Sequence, residues 1–265
     1  MGYVLSCATT PNRINNLLHL IPKLTCRYKF FVINICEEYK RFGTFKIPRE
    51  LIALCKKNKR VVFQFINDYG PICKYVGGFK FMQKKQITND RLIIIDDDIF
   101  YHRDLFMELQ ENKTDNNITT GSGFNYDSNR EYIVVEGKTE TVEGYGGICF
   151  NSNQQNDFIT WFVEFYKTID CGTTGTVDKY LMACFLGDDF ILSNIYPDKH
   201  AIKGGRKYIQ PLDYGLEADA LQNNTIFNGN MGSYLYLHKN ITILETFKLK
   251  FELNKQIVSL QNKTL

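Results

Sequence analysis

A chain of 265 residues with 44% apolar side chains is long enough for one generous α/β domain or two small ones, and it is expected to be globular. Its 32 basic and 29 acidic residues leave a net charge of only +3, so bulk electrostatics imply no nucleic-acid partner. The start, Met1-Gly2-Tyr3-Val4-Leu5-Ser6-Cys7, lacks a basic region and a long apolar stretch, and no later run approaches bilayer-spanning length, so no membrane span and a cytoplasmic location are expected.

Strand and helix patterns alternate over the first hundred residues. Tyr3 to Ala8 reads as a strand, Asn12 to Ile21 as a helix with Leu17, Leu18 and Ile21 on one face, and Lys29 to Ile35 as a buried strand. Pro48 suits the first position of a helix running to about Lys56. Val61 to Ile66 is the third strand; a Gly70-Pro71 turn and a helix through Phe79 and Met82 lead to a fourth, Arg91 to Ile95. This βαβαβαβ order predicts a mostly parallel, Rossmann-like sheet flanked by helices, with a ligand crevice at the carboxyl ends of its strands. Beyond residue 110 polar loops alternate with short strands near Tyr132 to Val135 and Ile148 to Phe150, and helices are expected over Asn153 to Tyr166 and Asp178 to Leu186. One continuous domain, regular over 1–110 and irregular over 111–265, is the simplest division. Eight cysteines are scattered without a Cys-x-x-Cys pair, which argues against a zinc site and against a disulfide scaffold.

The residues that suggest chemistry all fall at the predicted strand ends. Asp96-Asp97-Asp98 places three adjacent carboxylates after a buried strand, where mutual repulsion and desolvation favour a shared cation; hard oxygen ligands suit Mg²⁺ or Mn²⁺. Capping of a following helix would explain Asp98 but leave the other two. In Asn67-Asp68-Tyr69-Gly70-Pro71-Ile72-Cys73-Lys74, Lys74 is placed to pair with a phosphate and Asp68 to receive a base or ribose donor, against the plainer reading of a solvated turn. Ala8-Thr9-Thr10-Pro11-Asn12-Arg13 opens a helix and presents N–H groups and a positive charge. Glu143-Gly144-Tyr145-Gly146-Gly147 would let backbone approach a sugar while the ring stacks on it, with a tight turn as the competitor. Gly187-Asp188-Asp189-Phe190 offers a general base, Asp189 before Asp188, or else a helix cap. His238 is a weaker candidate for a late metal ligand.

Taken in order, Thr-Thr-Pro-Asn-Arg, Asp-Tyr-Gly-Pro-Ile-Cys-Lys, Ile-Asp-Asp-Asp-Ile-Phe-Tyr, Gly-Tyr-Gly-Gly and Asp-Asp-Phe-Ile-Leu-Ser resemble the GT-A glycosyltransferases, nearest to the small enzymes encoded by large DNA viruses of algae and amoebae and to related bacterial sugar transferases. The resemblance spans about residues 3 to 196. It implies that Asp98 holds the metal with Asp96 towards the ribose of an Asp-x-Asp element, and that Asp97 lies in the donor site. Thr9, Arg13, Asp68 and Lys74 would line the nucleotide site, the loop with Gly146 and Gly147 would face sugar and acceptor, and Asp189 or Asp188 would serve as base in an inverting reaction. The implied donor is a nucleoside-diphosphate sugar, a UDP-sugar first; the implied acceptor is a glycan or glycoprotein, and the compartment a host cytoplasm if the chain is viral. A nucleotidyltransferase and a non-catalytic sugar-nucleotide-binding protein are the alternatives.

Overall fold

The computed structural model describes residues 2–39, 46–126, 132–154 and 188–212, with two short strands at 226–227 and 230–231. Four strands from the apolar runs, β1 (Tyr3–Ala8), β2 (Phe30–Cys36), β3 (Val61–Ile66) and β4 (Arg91–Ile94), lie parallel in the order β3-β2-β1-β4. Val4, Leu5, Phe31, Val32, Ile33 and Leu92 to Ile94 are wholly buried. Continuous apolar runs of this kind are what a sheet covered on both faces requires.

The helices α1 (Asn16–Lys23) and α2 (Arg49–Lys57) touch each other, whereas α3 (Cys73–Lys84) packs on β1, β2 and β4. The chain steps outwards from β1 to β3 and then returns past both to β4. Right-handed crossovers therefore assign α1 and α2 to one face and α3 to the other. The first helix starts later than the periodicity suggests because residues 11–15 form successive turns, with Arg13 N–H donating to Thr10 O and Asn16 N–H to Arg13 O. Pro48 sits just ahead of α2 as its cap residue.

After the aspartates the chain enters β5 (Ile99–Tyr101), and only then α4 (Arg103–Glu111), which is capped by His102. Asp98 is thus no helix cap. The remaining strands are β6 (Ile118–Thr120), β7 (Gly123–Tyr126), β8 (Tyr132–Val134), β9 (Gly137–Lys138), β10 (Thr141–Val142) and β11 (Ile148–Asn151). They are followed by α5 (Asp188–Ile195), β12 (Lys199–Ala201), β13 (Ile209–Pro211), β14 (Ile226–Phe227) and β15 (Asn230–Met231). The full sheet runs β3-β2-β1-β4-β11-β6-β12-β9; β11 is antiparallel to both its neighbours, and β12 is parallel to β6. It draws strands from both sides of residue 110. The expected helix over Asp178 to Leu186, residues 155–166 of the other expected helix, and His238 lie outside the described residues. Among the described residues no helix is long and apolar enough to cross a membrane.

Because β11 is antiparallel, its amino end meets the carboxyl ends of β1, β3, β4, β6 and β12. One edge of the sheet therefore collects the segments after Ala8, Ile66, Ile94, Thr120 and Ala201 together with Gly144 to Gly147. Close seating of α3 holds this edge in shape. A Cβ at Gly77 would fall on the Asn34 amide, and one at Gly78 would lie 2.6 Å from Leu92 Cδ1. Asn34 has no room to yield, since its Nδ2 donates to Ser6 Oγ at 2.8 Å and Cys7 O at 2.7 Å.

Gly77→Ala is expected to destabilise the protein by roughly 1–3 kcal/mol in urea unfolding, because overpacking outweighs the better helix propensity of alanine. A gain in stability would show that α3 is not pressed onto the sheet as described.

Candidate functional site

The acidic triplet begins where β4 ends: Ile95 N–H still donates to Ser6 O at 2.9 Å, and Asp96, Asp97 and Asp98 follow as the chain leaves the sheet. Their side chains diverge. Asp97 turns inward and is buried with Arg13, whose Nη2 ion-pairs with it and also reaches Asp98 Oδ1 at 2.9 Å. Asp96 and Asp98 keep part of their surface in contact with solvent, 26% and 21% of the side chain. Asp96 N–H donates to Tyr101 Oη at 2.9 Å, and Tyr101 donates in turn to Tyr145 O at 3.0 Å, so β5 ties the triplet to the glycine segment.

Lys74 does not project into the crevice as expected of a phosphate ligand. Its side chain is 6% exposed, with Nζ 2.6 Å from Asp96 Oδ1 and 3.0 Å from Asp188 Oδ2. The 3-2-1-4 strand order explains this: β3 is not a neighbour of β4, and α3 carries Lys74 across the sheet to reach the aspartates. Ser6 Oγ fixes that first turn of α3 by donating to Lys74 O at 2.5 Å. Asp188 and Asp189 open α5 with different roles. Asp188 is buried on Lys74, whereas Asp189 is partly exposed and its Oδ1 accepts Gly144 N–H at 2.8 Å. A Cβ at Gly144 would lie 2.5 Å from Lys74 Nζ and 2.7 Å from Asp189 Oδ1, so only glycine lets the backbone come this close. Ser193 holds α5 in place, accepting from Val142 N–H at 3.0 Å while donating to Asp189 O.

The electrostatics follow from crowding. Burial opposes the Lys74 ammonium, but Asp188 and Asp96, then Asp189, outweigh it and hold its pKa well above the usual lysine value. Burial pushes the Asp97 carboxyl up to about 7, with Arg13 offsetting only part and Asp98 adding to the rise. Asp98 is raised by burial and by Asp96 against the pull of Arg13, and Asp189 is held well above the carboxylate range by burial and by Asp188, with Lys74 opposing. Five carboxylates here face two cations, Arg13 and Lys74, so 5 − 2 = 3 negative charges stay uncompensated if all ionise. That excess, with Asp96 and Asp98 partly open to solvent, is the donor chemistry that fits a hard divalent ion.

The other expected residues are distributed along the edge. Thr9 is buried at the end of β1, its carbonyl accepting from Tyr39 Oη at 2.7 Å. Asp68 lies beyond β3 and accepts Gly70 N–H at 2.9 Å, a turn bond. Gly146 and Gly147 are buried against β6, their carbonyls accepting from Gly121 N–H at 3.2 Å and 3.3 Å. Sequence patterns gave Tyr101 no role and did not join Glu143 and Tyr145 to Ser122 and Arg206. Arg206 Nη2 lies 2.8 Å from Glu143 Oε2, its Nε donates to Ser122 Oγ at 2.7 Å, and Tyr145 Oη reaches Ser122 Oγ at 3.0 Å. Only the Gly-Gly-Arg-Lys run at 204–207 hints at Arg206.

The Asp97 shift fixes a pH dependence. Its folded pKa, about 7, lies above the unfolded value of about 3.9, so the unfolded chain releases that proton first as pH rises. In chelator, the contribution of Asp97 to stability is full below about pH 4 and lost by about pH 7. Melting temperatures of the wild type should accordingly fall more steeply over this range than those of Asp97→Asn. Parallel profiles would contradict the assignment.

No protein-family model matches the sequence, and no curated protein matches it. Solved structures match at low similarity. One is a putative glucose-1-phosphate thymidylyltransferase from Bacillus anthracis in complex with a sucrose, 11% identical, covering 94% of this chain and 99% of that one at a TM-score of 0.41. A second is the galactosyltransferase LgtC in complex with donor and acceptor sugar analogs, 13% identical over 63% of this chain and 65% of that one at 0.39. The third is 4-diphosphocytidyl-2C-methyl-D-erythritol synthase, 10% identical over 58% and 77% at 0.38. Likenesses of this extent carry no argument about activity.

Proposed function

We propose that the chain transfers a sugar from a nucleoside-diphosphate sugar to an acceptor hydroxyl, aided by Mn²⁺ or Mg²⁺. The observation that carries this reading is the pair of acidic groups on either side of Lys74 at the carboxyl edge of the sheet: Asp96 with Asp98, and Asp188 with Asp189. A binding module gains nothing from the second group, whereas a displacement at an anomeric carbon needs charge stabilisation on the leaving side and a proton acceptor on the attacking side.

In this reading Asp96 and Asp98 hold the ion. When bound, the ion would stabilise the charge that develops on the departing diphosphate. Asp97 is no ligand; it anchors the triplet inward through Arg13. Asp189 accepts the proton of the acceptor hydroxyl as the new bond to the anomeric carbon forms and the bond to the diphosphate oxygen breaks. Its partial exposure leaves it within reach of an acceptor hydroxyl, and the raised pKa makes its carboxylate a stronger base. Asp188 is a positioning residue, since its carboxylate is committed to Lys74. Lys74 keeps the two acidic groups from repelling each other apart. Thr9 and Asp68, at the ends of β1 and β3, border the nucleoside side of the crevice. Ser122, Glu143, Tyr145 and Arg206 form its acceptor side, with hydroxyl, carboxylate and guanidinium groups that match a glycan. Attack opposite the departing diphosphate inverts the anomeric centre.

A thermal-shift screen of nucleotide sugars, UDP-linked donors first, with and without Mn²⁺ should find a donor that raises the melting temperature only with the metal. Asp98→Ala should abolish that shift. Asp189→Asn should keep the shift and lower turnover by at least about 10²-fold. Nucleoside diphosphate is the expected product; release of pyrophosphate from a nucleoside triphosphate would instead establish nucleotidyl transfer. Equal donor affinity in wild type and Asp98→Ala would overturn the metal assignment.

A further inference from the structure

A second ligand set occupies the same edge of the sheet on its β2–β3 side, separated from β4 by β1. Cys36 closes β2, Cys73 opens α3, and Asp68 stands in the turn between β3 and α3. The two Sγ atoms and a carboxylate oxygen of Asp68 all lie within 4.8 Å of one another. A tetrahedral ion with metal–sulfur bonds near 2.3 Å and metal–oxygen bonds near 2.0 Å needs its donors roughly 3.5–3.8 Å apart, which small side-chain rotations supply here.

Two of the ligand side chains are also held by neighbouring N–H groups, and the third ligand is held through its backbone. Tyr69 N–H donates to Cys73 Sγ at 3.2 Å, and Gly70 N–H donates to Asp68 Oδ1 at 2.9 Å. Cys36 N–H donates to Tyr39 Oη at 3.1 Å, which itself donates to Thr9 O at 2.7 Å. Outer contacts of this kind orient metal ligands. Both cysteines are buried, at 3% and 2% exposure, while Asp68 is partly exposed and gives an ion its way in. Cys36 stands far in sequence from Asp68 and Cys73, which is why the missing Cys-x-x-Cys spacing argued against zinc; the parallel sheet brings it to them.

We propose that Cys36 Sγ, Cys73 Sγ and the Asp68 carboxylate bind a thiophilic divalent cation of the zinc class, with a fourth position open to water. Two sulfur donors select such an ion over Mg²⁺ or Mn²⁺, so this site and the aspartate cluster take different metals. Binding releases the two thiol protons to solvent and involves no change of oxidation state. The ion clamps the turn at 67–73 to the end of β2. Of its ligands only Asp68 enters the transfer reading, as a residue bordering the nucleoside side, and cobalt binding by the two thiolates is read without any substrate, so the two readings stand or fall separately.

Cobalt titration of the full chain, stripped with chelator and kept in a phosphine reductant, tests this. The wild type should develop a thiolate-to-cobalt charge-transfer band that saturates at one equivalent per chain and is bleached by Zn²⁺. Cys36→Ser and Cys73→Ser should each lose the band. Asp68→Asn should weaken cobalt binding, and Cys55→Ser, altering a thiol on α2, should leave the titration unchanged. A folded wild type without the band would overturn the proposal. So would a band that survives in both serine variants, or a native thiol count two short, which would mark a disulfide in place of a metal.

Discussion

Two buried cations ion-pair with four of the five carboxylates gathered at one edge of a mostly parallel sheet. Removing charged groups from water costs several kcal/mol per ion, and a cluster of this kind persists only where partners and hydrogen bonds offset that cost. Arg13 meets part of it on the inner side by gripping Asp97 and Asp98; Lys74 meets part on the outer side by standing between Asp96 and Asp188. The remainder shows in the raised pKa values of Asp97, Asp98 and Asp189. With every carboxylate ionised, negative charge would exceed both cations, and on the proposed reading a divalent ion would offset that excess.

The fold is arranged so that these groups meet. Parallel strands put their carboxyl ends on one side, and antiparallel β11 contributes its amino end to the same side, bringing Gly144 against Lys74 and Asp189. The return of α3 across the sheet carries Lys74 to the triplet, and this depends on the glycine-permitted contact between α3 and Asn34. Packing and electrostatics are therefore one problem in this protein: pushing α3 outwards would also separate Lys74 from Asp96.

The parallel core was legible in the sequence because its strands are continuous apolar runs separated by recognisable turns. Val61 to Ile66 and Tyr3 to Ala8 match residue for residue. The start of α1 was not legible, since residues 11–15 form turns from which Arg13 reaches Asp97, a contact distant in sequence. Asp96 to Asp98 stood out because three carboxylates after an apolar strand need a reason. Lys74 stood out for its position, but its partners did not, because periodicity does not reveal that β3 and β4 lie on opposite sides of β2 and β1. Gly146 and Gly147 read as a ligand-facing loop, and their hydrogen bonds to Gly121 at the end of β6 were not legible. The partners of Arg206 and the meeting of Cys36 with Asp68 and Cys73 escaped notice for the same reason: both arise only once distant segments share an edge.

The central claim is that the uncompensated charge of the aspartate cluster takes up a hard divalent ion. Electron paramagnetic resonance of Mn²⁺ titrated into the chelator-stripped full chain measures this directly, because bound ion leaves the sharp signal of free Mn²⁺. The account predicts one site per chain that Mg²⁺ displaces and that disappears when Asp96 and Asp98 are both changed to asparagine in a chain that still folds. A free-ion signal that rises in step with added Mn²⁺ from the first addition would contradict it.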